Sequence, residues 1–265
     1  MRWLAGSAAA VAALAAVLVA KPWAGSPAPA RVLLPDLDQA VPQALSLRRE
    51  GRRTLLVFAS AVDNVGAGSL LVRARRSRRS VGRMEARQAI VRADGSFDYR
   101  YLGPLVWYER AATHSHWHLH RFARYELRTA DASARLLRAR KMGFCLGDRY
   151  DANRHLRLPH EPAAAVWTHE CGRGLPSLLE VNEGISVGFG DDYAPRLEGQ
   201  YVDVTRLRAG RYLLVHVANP SRALRESSYE NNEASVLVAL RRPSGRAPRI
   251  AVLRRCPDTG RCPAD

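Results

Sequence analysis

From residue 31 onward, no stretch of this chain sustains an apolar stripe of helical period. Short runs rich in β-branched and aromatic residues alternate instead with Gly, Pro, Asn and Asp, which favour turns. Residues 54–62, 69–72, 88–92, 97–101, 116–128, 136–146, 178–189, 200–205, 211–218 and 234–240 read as strands, and Ala93-Asp94-Gly95 marks a hairpin between two of them. The expectation is an all-β fold, an antiparallel β-sandwich or barrel with long loops. At 265 residues the chain suits one folded domain, and no internal repeat is evident.

Residues 1–30 read as a secretory signal: Arg2 gives a basic start, residues 5–20 an apolar run, and Ala28-Pro29-Ala30 small residues for cleavage. That run is shorter than the roughly 20 residues a spanning helix needs. The chain then divides into the signal (1–30), a β domain (31–245) and a C-terminal tail with a short Cys loop (246–265), and the protein is expected to be secreted or at the cell surface after cleavage near Ala30. Export permits disulfides. Of the three pairings open to four cysteines, Cys145 with Cys171 and Cys256 with Cys262 are favoured because each closes a local loop. The net charge of +16 becomes +14 without Arg2 and Lys21, which suits an anionic surrounding such as a cell-surface polymer. Seven arginines fall between Arg73 and Arg87. No nucleic-acid motif or interleaved aromatic run accompanies them in sequence, so they read as a solvated loop and no specific nucleic-acid partner is expected.

Three features carry chemistry. The segment Thr113-His114-Ser115-His116-Trp117-His118-Leu119-His120 places histidines at every second position, which an extended strand turns to one face. His114, His116 and His118 form the best metal-binding triplet, with His120 a fourth candidate; imidazole suits copper, zinc, iron or nickel. Of the 41 Lys and Arg residues, only Lys21 and Lys141 are lysines. Arg does not lose its proton and cannot act as an amine nucleophile, whereas a desolvated Lys can. Between Glu180 and Asp203 the charge reverses, with Tyr193 directly after Asp191 and Asp192. A local negative field attracts a cationic ligand such as a protonated amine; a calcium loop or an acidic turn is the alternative.

These pieces, in this order, resemble the catalytic domain of lysyl oxidase over about residues 32–240. The family's His-x-His-Tyr-His copper stretch is similar to residues 114–118, and its following Phe-x-His-Tyr-Asp-Leu to Phe122-Ala123-Arg124-Tyr125-Glu126-Leu127. Lys141-Met142-Gly143-Phe144-Cys145-Leu146-Gly147-Asp148 resembles its Lys-x-x-Phe-Cys-Leu-x-Asp, and Tyr193 with Gln200-Tyr201-Val202-Asp203-Val204-Thr205 its closing Tyr and Gln-Trp-Ile-Asp-Ile-Thr. The resemblance implies Cu(2+) on His114, His116 and His118. It also implies a lysine tyrosylquinone made from Lys141 and Tyr193, and a carboxylate base, for which adjacency nominates Asp191 or Asp192. The implied activity is oxidation of a primary amine, small or peptidyl lysine, by O2 to an aldehyde, with H2O2 and ammonia released. The chain departs from the animal enzymes by a shorter interval before Phe122, by Arg124 where they carry a histidine, and by lacking most of their disulfides, as in a bacterial-type branch. Two other readings are an extracellular metal-binding or adhesive β-sandwich module without catalysis, and a zinc hydrolase on three histidines.

Overall fold

The computed structural model describes residues 30–110, 115–152 and 157–263. The segment read as a signal and His114 therefore lie outside the described residues, apart from Ala30. The strands are β1 (Val32–Leu33), β2 (Leu37–Gln39), β3 (Gln43–Glu50), β4 (Arg53–Asn64), β5 (Leu70–Arg75), β6 (Arg83–Arg92), β7 (Phe97–Arg110), β8 (Ser115–His120) and β9 (Ala123–Thr129). They continue as β10 (Arg135–Arg138), β11 (Gly143–Phe144), β12 (Tyr150–Asp151), β13 (Glu180–Ile185), β14 (Phe189–Tyr193), β15 (Tyr201–Asp203), β16 (Gly210–Ala218), β17 (Glu233–Arg241) and β18 (Arg249–Cys256). Among the described residues there is no helix, as the sequence pattern predicts.

Three antiparallel sheets result. A seven-stranded sheet runs β11-β8-β7-β6-β5-β13, with β1 also on β6; a five-stranded sheet runs β10-β9-β16-β17-β18; a six-stranded sheet runs β12-β14-β4-β15, with β2 and β3 also on β4. The β6–β7 hairpin closes where expected, with Gly95 in the left-handed region at φ 82° and Arg92 N donating to Ser96 O at 2.8 Å. Its strands, however, extend well beyond the predicted 88–92 and 97–101, and much of the arginine run is strand rather than loop. Residues 249–256, set apart in the sequence as a tail, pair with β17 along the edge of the five-stranded sheet.

Three stretches that read as single strands are each two. Residues 116–128 break at Arg121, whose φ of 65° turns the chain out of one ladder, so β8 and β9 lie in different sheets. Residues 178–189 break at Gly188, φ 79°, between β13 and β14. Residues 136–146 break between β10 and β11, and Lys141 lies in that gap. Period-two patterning reports which way side chains point; it is blind to a change of sheet when the pattern resumes in phase.

One core spans all three sheets. Phe58 and Leu56 from β4, Val72, Met84 and Val106 from the seven-stranded sheet, and Leu127 and Leu214 from the five-stranded sheet are buried in a single cluster. Each such side chain contributes about 1.5–3 kcal/mol by leaving water. The cluster also holds Phe144 and Tyr193, so the candidate site rests on rigid packing. A buried polar clamp joins distant segments beside it. Glu226 accepts Leu37 N at 2.8 Å on one oxygen, and Asn219 Nδ2 at 2.5 Å and Asn232 Nδ2 at 3.1 Å on the other. Both expected disulfides, Cys145–Cys171 and Cys256–Cys262, are present.

Candidate functional site

The seven- and six-stranded sheets and the connections between strands meet at a cavity of about 170 Å³ lined by His116, His118, Lys141, Asp191, Asp192 and Tyr193, with Arg149 and Arg173 beside them. Six of the eight residues singled out in the sequence therefore meet at one place; His120 does not line this cavity, and His114 lies outside the described residues. Each arrives on its own element: the histidines on β8, Lys141 in the crossover from the five- to the seven-stranded sheet, and Asp191 and Tyr193 at the end of β14.

Lys141 is held by its backbone. Its N–H donates to Gly199 O at 3.1 Å, and Gly199, at φ 74°, packs so closely that a Cβ there would lie 3.1 Å from Lys141 N. Only glycine adopts that conformation and approach without strain. The segment after Lys141 is pinned twice. The Cys145–Cys171 bridge ties it to a loop whose Cys171 O accepts Trp117 N of β8 at 3.0 Å. Asp148 accepts the backbone N–H groups of Val166 (2.8 Å), Trp167 (3.0 Å) and Ser186 (2.7 Å).

The Lys141 ammonium is 9% exposed as a residue, and its Nζ lies 4.7 Å from the centroid of the Tyr193 ring, over the ring face, and 5.1 Å from that of Phe144. Burial lowers its pKa from 10.5 to about 8, against the opposing pull of Glu109, Asp191 and Glu198. Tyr193 donates its hydroxyl to Asp191 Oδ2 at 2.6 Å and lies 3.3 Å from Cys145 O. Burial, and then the Asp191 charge, push the Tyr193 phenol well above its ordinary value. Burial also raises Asp191 to about 8, against the Tyr193 hydrogen bond and Arg149, whose Nε is 3.6 Å away. Asp191 and Tyr193 share one face of β14; Asp192 points the other way, is exposed, and also borders a separate cavity beside Asp63 and Tyr150. The acidic island thus divides into buried groups, Glu183 and Asp191, and exposed ones, Glu180, Asp192, Glu198 and Asp203.

Beside the histidine strand stands a donor that sequence reasoning missed, Glu109 of β7. Among the described residues, Glu109, His118 and His120 bring one ligand atom each within 4.8 Å of one another. Glu109 Oε2 is 2.7 Å from His118 Nδ1, and Oε1 is 2.9 Å from His120 Nε2. These two contacts hold the Glu109 carboxyl far below the usual carboxylate range. His116 and His118 are neighbours, with ring centroids 4.4 Å apart, and His120 stacks on Trp107. Glu109 stands directly opposite His116 in the β7–β8 ladder. Imidazoles and a carboxylate suit copper or zinc, so the side chains present fit a metal. Gly143 leaves room for this cluster: a Cβ there would lie 2.8 Å from His118 Nδ1 and 2.9 Å from Glu109 Oε1. Arg124, at the position where the resemblance leads one to expect histidine, is on β9 and pairs with Glu126 at 3.2 Å.

The family model for lysyl oxidase matches residues 84–244, a segment that includes every one of these side chains. The chain belongs to the lysyl oxidase family. It is 30% identical over 144 residues to protein-lysine 6-oxidase of Rattus norvegicus, covering 54% of this chain and 31% of that protein. Against the Homo sapiens protein-lysine 6-oxidase it is 29% identical over 144 residues, 54% of this chain and 30% of the relative. Lysyl oxidase homolog 3B of Danio rerio is 25% identical over 187 residues, 69% of this chain and 17% of that protein. The chain thus spans about a third or less of these lysyl oxidase relatives.

Proposed function

We propose that this chain is a secreted, copper-dependent amine oxidase in which Lys141 and Tyr193 are the precursors of a lysine tyrosylquinone. The observation that carries the reading is the Lys141 amine lying over the Tyr193 ring, in a cavity bordered by His116 and His118. Residues 1–30 direct export, and residues 31–245 form the catalytic unit, with β18 bordering its five-stranded sheet. The net reaction converts a primary amine, O2 and water to an aldehyde, ammonia and H2O2. Copper and the quinone, when present, supply a redox-active metal and an electrophilic carbonyl.

The chain's own residues do the rest. Glu109, His118 and His120 are donors for the metal, His116 extends the set along the same strand, and His114 is a further candidate from its place in the sequence pattern. Asp191 takes the Tyr193 phenol proton across the 2.6 Å hydrogen bond. Once copper and O2 have oxidised the Tyr193 phenol to a quinone, the amine of Lys141, part of it neutral because burial has lowered its pKa, is placed to add to a ring carbon, the ring giving up its C–H proton there and O2 taking the electrons that restore the quinone; a guanidinium could not make that addition. Asp191, buried and raised to about 8, is the better placed of the two aspartates to take the substrate α-proton, while exposed Asp192 and Glu198 draw an ammonium group toward the mouth. The substrate class is a primary amine, small or peptidyl lysine.

Peptide mass spectrometry of copper-loaded, aerated, reduced and alkylated protein tests this reading. A covalent link between the Lys141 and Tyr193 peptides, absent from Lys141→Arg, is expected. Two unmodified peptides from fully loaded protein would instead favour a metal-binding module.

A further inference from the structure

The arginine run has aromatic partners that sequence order conceals. On the outer face of the seven-stranded sheet, Arg73 of β5 stands opposite Arg87 of β6, Arg87 opposite Tyr101 of β7, and Ala89 opposite Tyr99. Phe97, Tyr99 and Tyr101 occupy alternate positions of β7 and are 37%, 49% and 60% exposed. Their spacing along the strand is about 7 Å. The Arg73 guanidinium lies 4.7 Å from the Phe97 ring centroid and 5.7 Å from that of Tyr99, and Nη1 donates to the Tyr99 hydroxyl at 2.7 Å. Arg83 covers Trp107 at 4.8 Å. Two carboxylates are interspersed: Glu85 accepts the Tyr101 hydroxyl, and Glu180 lies 3.3 Å from Arg75 Nε. An open cavity of about 620 Å³ runs along this face.

Three exposed rings in a row on one strand form an apolar strip of the kind that marks a binding surface. Rings beneath guanidiniums fix the direction of the cations, which lowers the ordering cost of pairing with an anion. The charge of the face is mixed, five arginines (Arg73, Arg75, Arg76, Arg83, Arg87) against Glu85 and Glu180. A nucleic-acid strand carries a charge on every nucleotide and binds through phosphate neutralisation, which central carboxylates oppose. A chain of sugar rings with spaced carboxylates fits better. Its carboxylates pair bidentately with arginine, its hydroxyls donate to Glu85 and Glu180, and its ring faces lie on tyrosine. We propose that this face binds an acidic polysaccharide, whose uronate carboxylates meet Arg73 and Arg87 and whose sugar rings pack on Tyr99 and Tyr101.

None of these side chains lines the Lys141 cavity, so the inference is independent of the oxidase reading and is tested without copper or turnover. Calorimetry of the full chain with octagalacturonate, maltooctaose and an oligothymidylate makes the comparison. Octagalacturonate is expected to bind, more weakly as salt rises, and to lose affinity about tenfold or more in both Tyr99→Ala/Tyr101→Ala and Arg73→Gln/Arg87→Gln; maltooctaose is expected not to bind. Unfolding midpoints check the variants, and where a double variant is unstable the exposed single changes Arg87→Gln and Tyr101→Ser carry the same comparison. No octagalacturonate binding, binding untouched by the variants, or tighter variant-sensitive binding of oligothymidylate would each overturn the proposal.

Discussion

The Lys141 amine is predicted to titrate near pH 8 in the metal-free protein. Burial moves it down from 10.5 to about 8, so at neutral pH the fraction of neutral amine is enriched about 300-fold over an exposed lysine. The shift also links pH to stability. Between pH 8 and 10.5 the unfolded chain holds the proton that the folded chain has released, so unfolding free energy gains about 3 kcal/mol from this group as pH rises through that window. The assay is 13C NMR of protein labelled at lysine Cε. Lys21 is the one other lysine, so at most one further resonance appears, and Lys141→Arg assigns the signal. Removing carboxylates that stabilise the ammonium should lower the midpoint further, more for Glu109→Gln than for Asp191→Asn, because Glu109 is the strongest of the three opposing charges. A midpoint at or above 10 would refute the argument, since the amine would then be solvated and far too protonated to add to a ring. A midpoint near 8 that rises in the carboxylate variants would keep the burial but refute the assigned electrostatics.

Gly143→Ala should weaken copper(II) binding by about ten- to a hundredfold, measured by competition with a chelator, because its Cβ falls 2.8 Å from His118 Cβ and Nδ1. Unchanged affinity would remove Glu109 and His118 from the metal centre. Glu226, raised by burial from 4.5 to about 7, binds more protons folded than unfolded between those values. Its contribution is therefore full below pH 4.5 and lost as pH rises through 7. Urea unfolding of Glu226→Gln against the native chain should show a difference that changes by about 3 kcal/mol across this window; parallel profiles would show that the clamp does not titrate.

What the sequence discloses about this site follows from how each part is held together. Lys141, Tyr193 and Asp191 are legible because their residue types stand out locally: one lysine amid arginines, and a tyrosine after two aspartates. The histidines are legible because a period of two is a local property of a strand. Glu109 is not, since its membership depends on β7 continuing past Tyr101 to Arg110 and on a register that sets it against His116. The alternation of Leu105, Trp107 and Glu109 was the available signal, weakened by the register shifts of β6 against β7. The same physics hides the arginine–aromatic face. Arg73 and Tyr99 are 26 positions apart and touch only because two ladders, β5–β6 and β6–β7, are in phase. It also hides the passage from β8 to β9, where the non-glycine Arg121 adopts a left-handed turn that composition does not announce. Shifting β7 by one residue against β6 would turn Phe97, Tyr99 and Tyr101 to the opposite face and take Glu109 away from His118. The surface for the polymer and the donor set for the metal thus depend on one register, and a change at the β6–β7 hairpin that slips it should abolish both together while leaving the Lys141–Tyr193 pair, carried on the β10–β11 connection and on β14, in place.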